Sequence, residues 1–343
     1  MIHIVGNVGV DLSMGPIPAL PAWGTELLAG TSVYRPGGAA VNVALGLAGL
    51  YQPDGITLDE IQGKSPQAGA GRQARRPVPV RVYCAVGDDR DGWELRAQLE
   101  RAGVDATCVE PLPGETTSLG LALVREDGER AFVTDLGALR KVDIDWVRTR
   151  LADVTGPAWV LATGMSLFPG LGPAGVAALF RWLRSRGLRT ALDTGWDVEG
   201  WTAERVAGWL EALTWTDLFL PNEMEAQALT GMADPAAAAA VLQRRSGGIV
   251  VVKTGPAGCW VATPDGVRHY PIRPVPVPDT TGAGDLFSAG VLYGLDHGWM
   301  LSRAVELGQR LAAVVLQNRR SRFPSVAELL GDDAVGEAAS QRT

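Results

Sequence analysis

Apolar and polar positions along the chain switch repeatedly between a strand period and a helix period. Residues 2–5 form a short apolar run ending at Gly6, which predicts a buried first strand. Gly37-Gly38-Ala39-Ala40-Val41-Asn42 then opens an apolar helix through Leu50. A strand is predicted over 80–86, a turn at Gly87-Asp88-Asp89, and a helix over 90–102 with Trp93, Leu95 and Leu99 on one side. Alternation over 116–134, broken at Glu126-Asp127-Gly128-Glu129, predicts a hairpin. From Val142 onward helix and strand alternate: helix near 143–153, strand 158–162, helix 173–186, and strand 188–192 closed by Asp193. A strongly apolar strand covers 249–252, a hairpin pairs 259–262 with 267–270 and leads to Val277, and helices cover 283–295 and about 301–317. Such alternation implies an α/β fold, a mostly parallel sheet with helices on both faces. Residues 51–79, rich in Gly, Pro, Gln and Arg, lack a sustained period and read as a flexible surface insertion, with Arg72, Arg75 and Arg76 as a solvated charge run. Residues 334–343 read as a disordered tail.

The chemistry concentrates in Asp279-Thr280-Thr281-Gly282-Ala283-Gly284-Asp285, at the start of the predicted 283–295 helix. Gly282 and Gly284 leave few Cβ atoms between an anion and the backbone. The first N–H groups of a helix have no internal partner and lie at the positive end of its dipole, so a phosphate fits there. Asp285 falls in the first turn, where it could orient an attacking hydroxyl and accept its proton. As capping chemistry alone, Asp and Thr before a helix are ordinary.

Other candidates stand at strand ends. Asp11 follows the first strand, where open α/β sheets bind ligands, although Asp also serves as a turn residue. Gly37 and Gly38 permit close approach of the backbone, and Asn42 offers both a donor and an acceptor one turn into its helix. Asn222 and Glu225, three apart after the strand that ends at Pro221, suit a shared hydrated Mg²⁺ or a plain capping box, and the two are compatible. Lys253-Thr254-Gly255-Pro256-Ala257-Gly258 puts a lysine beside glycines at a strand end, a plausible phosphate contact.

Together, in this order along nearly the whole chain, these segments resemble the ribokinase-like (PfkB) family of sugar and nucleoside kinases. The resemblance implies a three-layer α/β/α fold over 1–333 with a small β-sheet lid from about 12–36 and 110–136. It also implies transfer of a phosphoryl group from ATP to a hydroxyl of a small sugar or nucleoside, with Asp285 as base and Gly282, Ala283 and Gly284 as anion hole. Asp11, Gly37, Gly38 and Asn42 would hold the acceptor. Asn222, Lys253, Gly255 and Gly258 would contact ATP, Glu225 would hold Mg²⁺ through water, and Asp279 and Thr281 would mark a monovalent-cation (K⁺) site. Thr116 or Thr117 and Phe132 could face substrate, and two lids could pair in a homodimer. The chain departs from the family at Thr194-Gly195-Trp196-Asp197, where relatives often carry Asn and Arg, and at Gly308-Gln309-Arg310 near the expected adenine pocket.

Composition narrows the partners. With 343 residues, 46% hydrophobic and 20% charged, the chain can build one large core. A net charge of −7 argues against nucleic acid as the main partner. Only three lysines occur (Lys64, Lys141, Lys253), and without a clear basic cluster in the acceptor segment a neutral acceptor is favoured over a sugar phosphate. Cys84, Cys108 and Cys259 are isolated and odd in number, which fits a reducing cytoplasm. Neither a signal peptide nor a membrane span is expected. The rival readings are a noncatalytic sugar or nucleotide sensor with the same fold, and an oxidoreductase, the latter disfavoured because no Gly-x-Gly-x-x-Gly follows the first strand.

Overall fold

The computed structural model describes residues 1–64, 75–126, 130–276, 279–318 and 321–331. Asp127, Gly128, Glu129, Val277, Arg72 and the 334–343 tail lie outside these residues. Among the described residues, nine strands form the main sheet in the order Gly266–Tyr270, Cys259–Thr263, Ile249–Lys253, Leu218–Phe219, Arg189–Asp193, Trp159–Thr163, Ile2–Gly6, Val80–Gly87, Asp105–Leu112. All neighbours are parallel except the two pairs made by the edge hairpin. The central strands Ile2–Gly6 and Trp159–Thr163 are buried end to end, as the near-continuous apolar runs of a sheet covered on both faces require. Helices Ala39–Tyr51, Ala283–Asp296 and Leu301–Gln317 pack together, while Gly172–Ser185, Ala203–Leu213 and Pro235–Ser246 form another packed group. The result is the three-layer α/β/α arrangement.

From Ile2–Gly6 the chain moves outward to Val80–Gly87 and Asp105–Leu112, then returns to the other side through Trp159–Thr163. This reversal opens a crevice at the strand ends, where Asn7 Oδ1 accepts from the Ala39 amide at 3.1 Å. A second, four-stranded sheet rises beside it, in the order Thr31–Gly37, Gly9–Ile17, Ser118–Arg125, Arg130–Asp135.

Four expectations need correction. Residues 110–112 belong to the main sheet, so the later segment of the small sheet begins at Ser118. Part of the supposed insertion is core: Ile56–Thr57 pairs with Arg322–Phe323, Leu58–Ile61 is a short helix with a Thr57/Glu60 capping box, and Ile56 and Ile61 are buried. Elements of two and four residues are too short to show a period. Arg75, taken as solvated, pairs with Glu60 at 2.7 Å. Trp93 does not share the buried side of its helix; it is exposed and donates from Nε1 to Asp88 Oδ1 at 2.9 Å.

Candidate active site

Ala283–Asp296 begins at Gly282, whose φ of 82° is open to glycine at little cost, and no side chain caps the helix. At this start the Ala283 amide donates to the Thr280 carbonyl at 3.1 Å. Leu286 through Gly294 are buried and hold the helix in the core, which fixes Asp285 in the first turn. Asn42 Nδ2 donates to Asp285 Oδ2 at 2.7 Å, so residues 243 apart in sequence meet at the crevice.

Asn42 comes from Ala39–Tyr51, which starts after Gly38. Gly38 has a φ of 93°, and a side chain there would overlap the Asn7 carbonyl. A Cβ on Gly37 would overlap the Asp11 carboxylate, and one on Gly120 would come within 3.4 Å of it. Two glycines thus form a slot for Asp11. It opens on a cavity of about 210 Å³ lined by Asp11, Ser13, Arg35, Ala122, Phe132, Asp279 and Thr281, among others. Arg35 donates to Asp279 Oδ2 at 2.9 Å, and the Thr281 amide to Oδ1 at 2.8 Å. These donors outweigh burial and hold the Asp279 carboxyl well below the usual carboxylate range. Phe132 lines this cavity, whereas Thr117 is occupied in bonds to Asp89 and Gly87.

A larger cavity, about 750 Å³, lies on the other side of the motif. Thr280, Ala283, Gly284 and Asp285 form one wall, with Asn222, Glu225, Lys253, Gly255 and Gly258 around it and Phe287, Ala312 and Leu316 at an apolar end. Asn222 caps Glu223–Thr230 and Glu225 completes the box: the Asn222 amide donates to Glu225 Oε2 at 3.0 Å and Nδ2 to Oε1 at 2.7 Å. Burial first, then the Asp193 carboxylate, raises the Glu225 pKa, and Lys253 opposes them. Each Glu225 oxygen accepts one bond from Asn222, which leaves lone pairs that a Mg²⁺-bound water could use. Among the described residues no cluster of three or more His, Cys, Asp or Glu could hold a metal. Lys253 Nζ lies 2.7 Å from Asp193 Oδ2. Burial alone would lower the lysine pKa; the Asp193 and Glu225 charges reverse this and leave it above its ordinary value.

The structure thus brings Asp11, Asn42, Asp279, Thr281 and the 282–285 turn to one crevice, with Asn222, Glu225, Lys253, Gly255 and Gly258 around the larger cavity. Sequence reasoning missed Arg35 and Asp193 as a partner, whereas Gln309, named from the sequence only as a departure, lines the larger cavity and donates from Nε2 to the Tyr270 carbonyl at 2.9 Å. Of the two missed, Asp193 carried a signal, as a carboxylate at a buried strand end.

The sequence model of the pfkB family of carbohydrate kinases matches residues 19–328. The chain belongs to this family. As a PfkB kinase it is a phosphotransferase that acts on a sugar hydroxyl. It is 31% identical over 246 residues to an uncharacterized sugar kinase of Archaeoglobus fulgidus, covering 69% of this chain and 91% of the relative. It is 28% identical over 340 residues to an ATP-dependent ribose-1-phosphate kinase of Halopiger xanaduensis, covering 98% and 97%. Among solved structures it resembles a fructokinase from Vibrio cholerae in its fructose, ADP and calcium ion bound form, with TM-score 0.72, 22% identity and coverage of 96% and 97%. Among the described residues of this PfkB kinase, no helix is long and apolar enough to cross a membrane.

Proposed function

We propose that this PfkB kinase transfers the γ-phosphoryl group of ATP to a hydroxyl of a neutral sugar or nucleoside. One observation carries the reading: the Asp279–Asp285 segment runs between the two cavities, with Asp279 and Thr281 lining the smaller and Thr280, Ala283, Gly284 and Asp285 lining the larger, so a donor in the larger and an acceptor in the smaller would approach each other across this segment. In this reading Asp11 and Asn42 hold acceptor hydroxyls against Gly37 and Gly38. Asp285 orients the attacking oxygen, with its carboxylate aligned by Asn42, and takes its proton late in a loose transition state. The Gly282, Ala283 and Gly284 amides receive negative charge on the group in transfer, the Ala283 amide by turning from the Thr280 carbonyl to which it donates at 3.1 Å. Lys253 meets the nucleotide phosphates, and Gly255 and Gly258 keep side chains out of their way. Asn222 and Glu225 would hold Mg²⁺ through water, and the metal when bound would neutralise phosphate charge. Since the Asp279 carboxylate serves Arg35 and the Thr281 amide, a monovalent cation here would rely on backbone oxygens. The four-stranded sheet acts as a lid that excludes water from the transfer. Its exposed Val33, Tyr34 and Val133 support pairing of two lids.

The neutral acceptor rests on charge. Among the described residues, the smaller cavity holds Asp11 and Asp279 against one arginine, Arg35, which is paired with Asp279. A sugar phosphate is the second reading, favoured by Arg35 itself, whose buried Nε has no hydrogen-bond partner, and by the Halopiger relative's name. The test is ADP release from MgATP with fructose, ribose, adenosine, fructose 1-phosphate and ribose 1-phosphate, run beside Asp285→Asn. Release with a neutral acceptor that falls by ~10²–10⁴ in the variant supports the reading. Release confined to phosphorylated sugars overturns the neutral acceptor, and undiminished turnover by Asp285→Asn overturns its role as base.

A further inference from the structure

Beneath the anion seat lies a buried network wider than the roles assigned so far. Asp193 ends the Arg189–Asp193 strand and is 6% exposed. Its Oδ2 accepts from Lys253 Nζ at 2.7 Å and from Ser288 Oγ at 3.1 Å. Ser288, fully buried, is on the same helix as Asp285. Lys253 Nζ also lies 3.1 Å from the point that a Cβ on Gly284 would occupy. The ammonium is therefore tucked against the Gly284 backbone, where the absence of a side chain makes room for it. Asp193 and Lys253 come from different strands of the sheet and Ser288 from the helix above.

Two physical points make this more than a neutral ion pair. A lysine side chain is a long flexible stem with a compact charge, so a site that needs the charge at one point must restrain it. A carboxylate in the wall of a cavity suited to phosphates also repels them, which is a cost to nucleotide binding. Glu225 and Asp285 act electrostatically on the same ammonium, yet the hydrogen bond at 2.7 Å is to Asp193. Geometry thus favours placement of the charge over gain in affinity.

We propose that Asp193 is the positioning residue for Lys253: it holds the ammonium beneath Gly284, where it faces the phosphoryl group in transfer, and Ser288 fixes the carboxylate in turn. This rests on the reading that the Gly282–Gly284 turn receives that group. The lysine thereby acts on the transition state, and Asp193 acts only through it. A purely structural ion pair would instead influence folding and all ligand steps alike.

The test measures steady-state turnover with the best acceptor of the panel and ADP binding by calorimetry. Asp193→Asn should lower kcat by ~10-fold or more, because misplacing a transition-state contact is costly. Its ADP dissociation constant should stay within about threefold or tighten, since a repelling carboxylate has been removed. Ser288→Ala should lower kcat by ~3-fold, in the same direction, as expected when a supporting hydrogen bond to a charged group is lost. In a Lys253→Met background, Asp193→Asn should cost less than about twofold further, because residues acting as one unit are non-additive. Losses that multiply across the two sites, or an ADP affinity that falls in step with kcat, overturn the proposal. If Asp193→Asn does not fold, Ser288→Ala decides, and an unchanged kcat there overturns it. A wild type that binds ADP but releases none with any acceptor overturns the proposed transfer itself and is told apart by that control.

Discussion

The helix that carries Asp285 meets its neighbour along a seam of small residues, and Gly290→Ala tests whether that seam sets the active site. A Cβ on Gly290 would lie 2.5 Å from Gly308 Cα, 2.6 Å from Gly308 N and 2.9 Å from the Leu307 carbonyl carbon. Comfortable carbon contacts are about 3.5–4.0 Å, so the two helices would have to separate by roughly 1 Å. Every one of these neighbours is backbone, and no side chain can swing aside. Replacing glycine in a helix interior gains about 1 kcal/mol of propensity, whereas overpacking a core costs about 1–3 kcal/mol, here at the upper end. The net expectation is a loss of about 1–2 kcal/mol. Because Asp285 starts the same helix, displacement should also reach the chemistry, and a shift near 1 Å can cost ~10²-fold in rate. Urea unfolding and kcat measured on the same preparation check both parts. A raised urea midpoint with unchanged kcat would refute the reasoning, since propensity would then have won and the seam would be compliant.

Gly37→Ala should raise the acceptor KM by ~10-fold while leaving the ATP KM nearly unchanged, as expected from displacing a hydroxyl-binding carboxylate; equal changes in both would remove Asp11 from the acceptor site. Burial, then the Arg81 charge, lowers the His3 pKa to about 4 beside the Tyr83 hydroxyl. The unfolded chain therefore binds the extra proton first, and stability is full above pH ~6.5 and falls as the pH drops toward 4, by up to about 3 kcal/mol. Urea midpoints across that range should show the limb, and His3→Gln should flatten it. Asp197 is 1% exposed and accepts from Arg205 Nε at 2.7 Å and Trp209 Nε1 at 2.8 Å. Asp197→Ala should cost roughly 3–5 kcal/mol by thermal or urea unfolding, and a loss below about 1 kcal/mol would show that this network is not a buried anchor.

Local features were legible to the extent that a few neighbouring residues decide them. One helix was expected over about 301–317 and spans Leu301–Gln317, because its apolar stripe is long and regular. The Asn222/Glu225 capping box follows from residues three apart, and the turn into Ala283–Asp296 follows from the two glycines. Ile56 and Ile61 were illegible as core because their elements hold too few residues for a period, and Trp93 was misassigned because apolar character does not by itself assign a face.

The sequence alone determined the α/β alternation, the glycine-rich helix start and the chemical identity of the residues at the strand ends, since these depend on local period and backbone freedom. Tertiary structure alone decided which of them meet. Asn42 reaches Asp285 across 243 positions, Arg35 reaches Asp279 across 244, and Lys253 reaches Asp193 across 60. Those pairings depend on a strand order that runs outward, returns and reverses, and on a separate sheet that brings Arg35 over the crevice. A period records which face a residue occupies; only the assembled sheet determines whose face lies opposite.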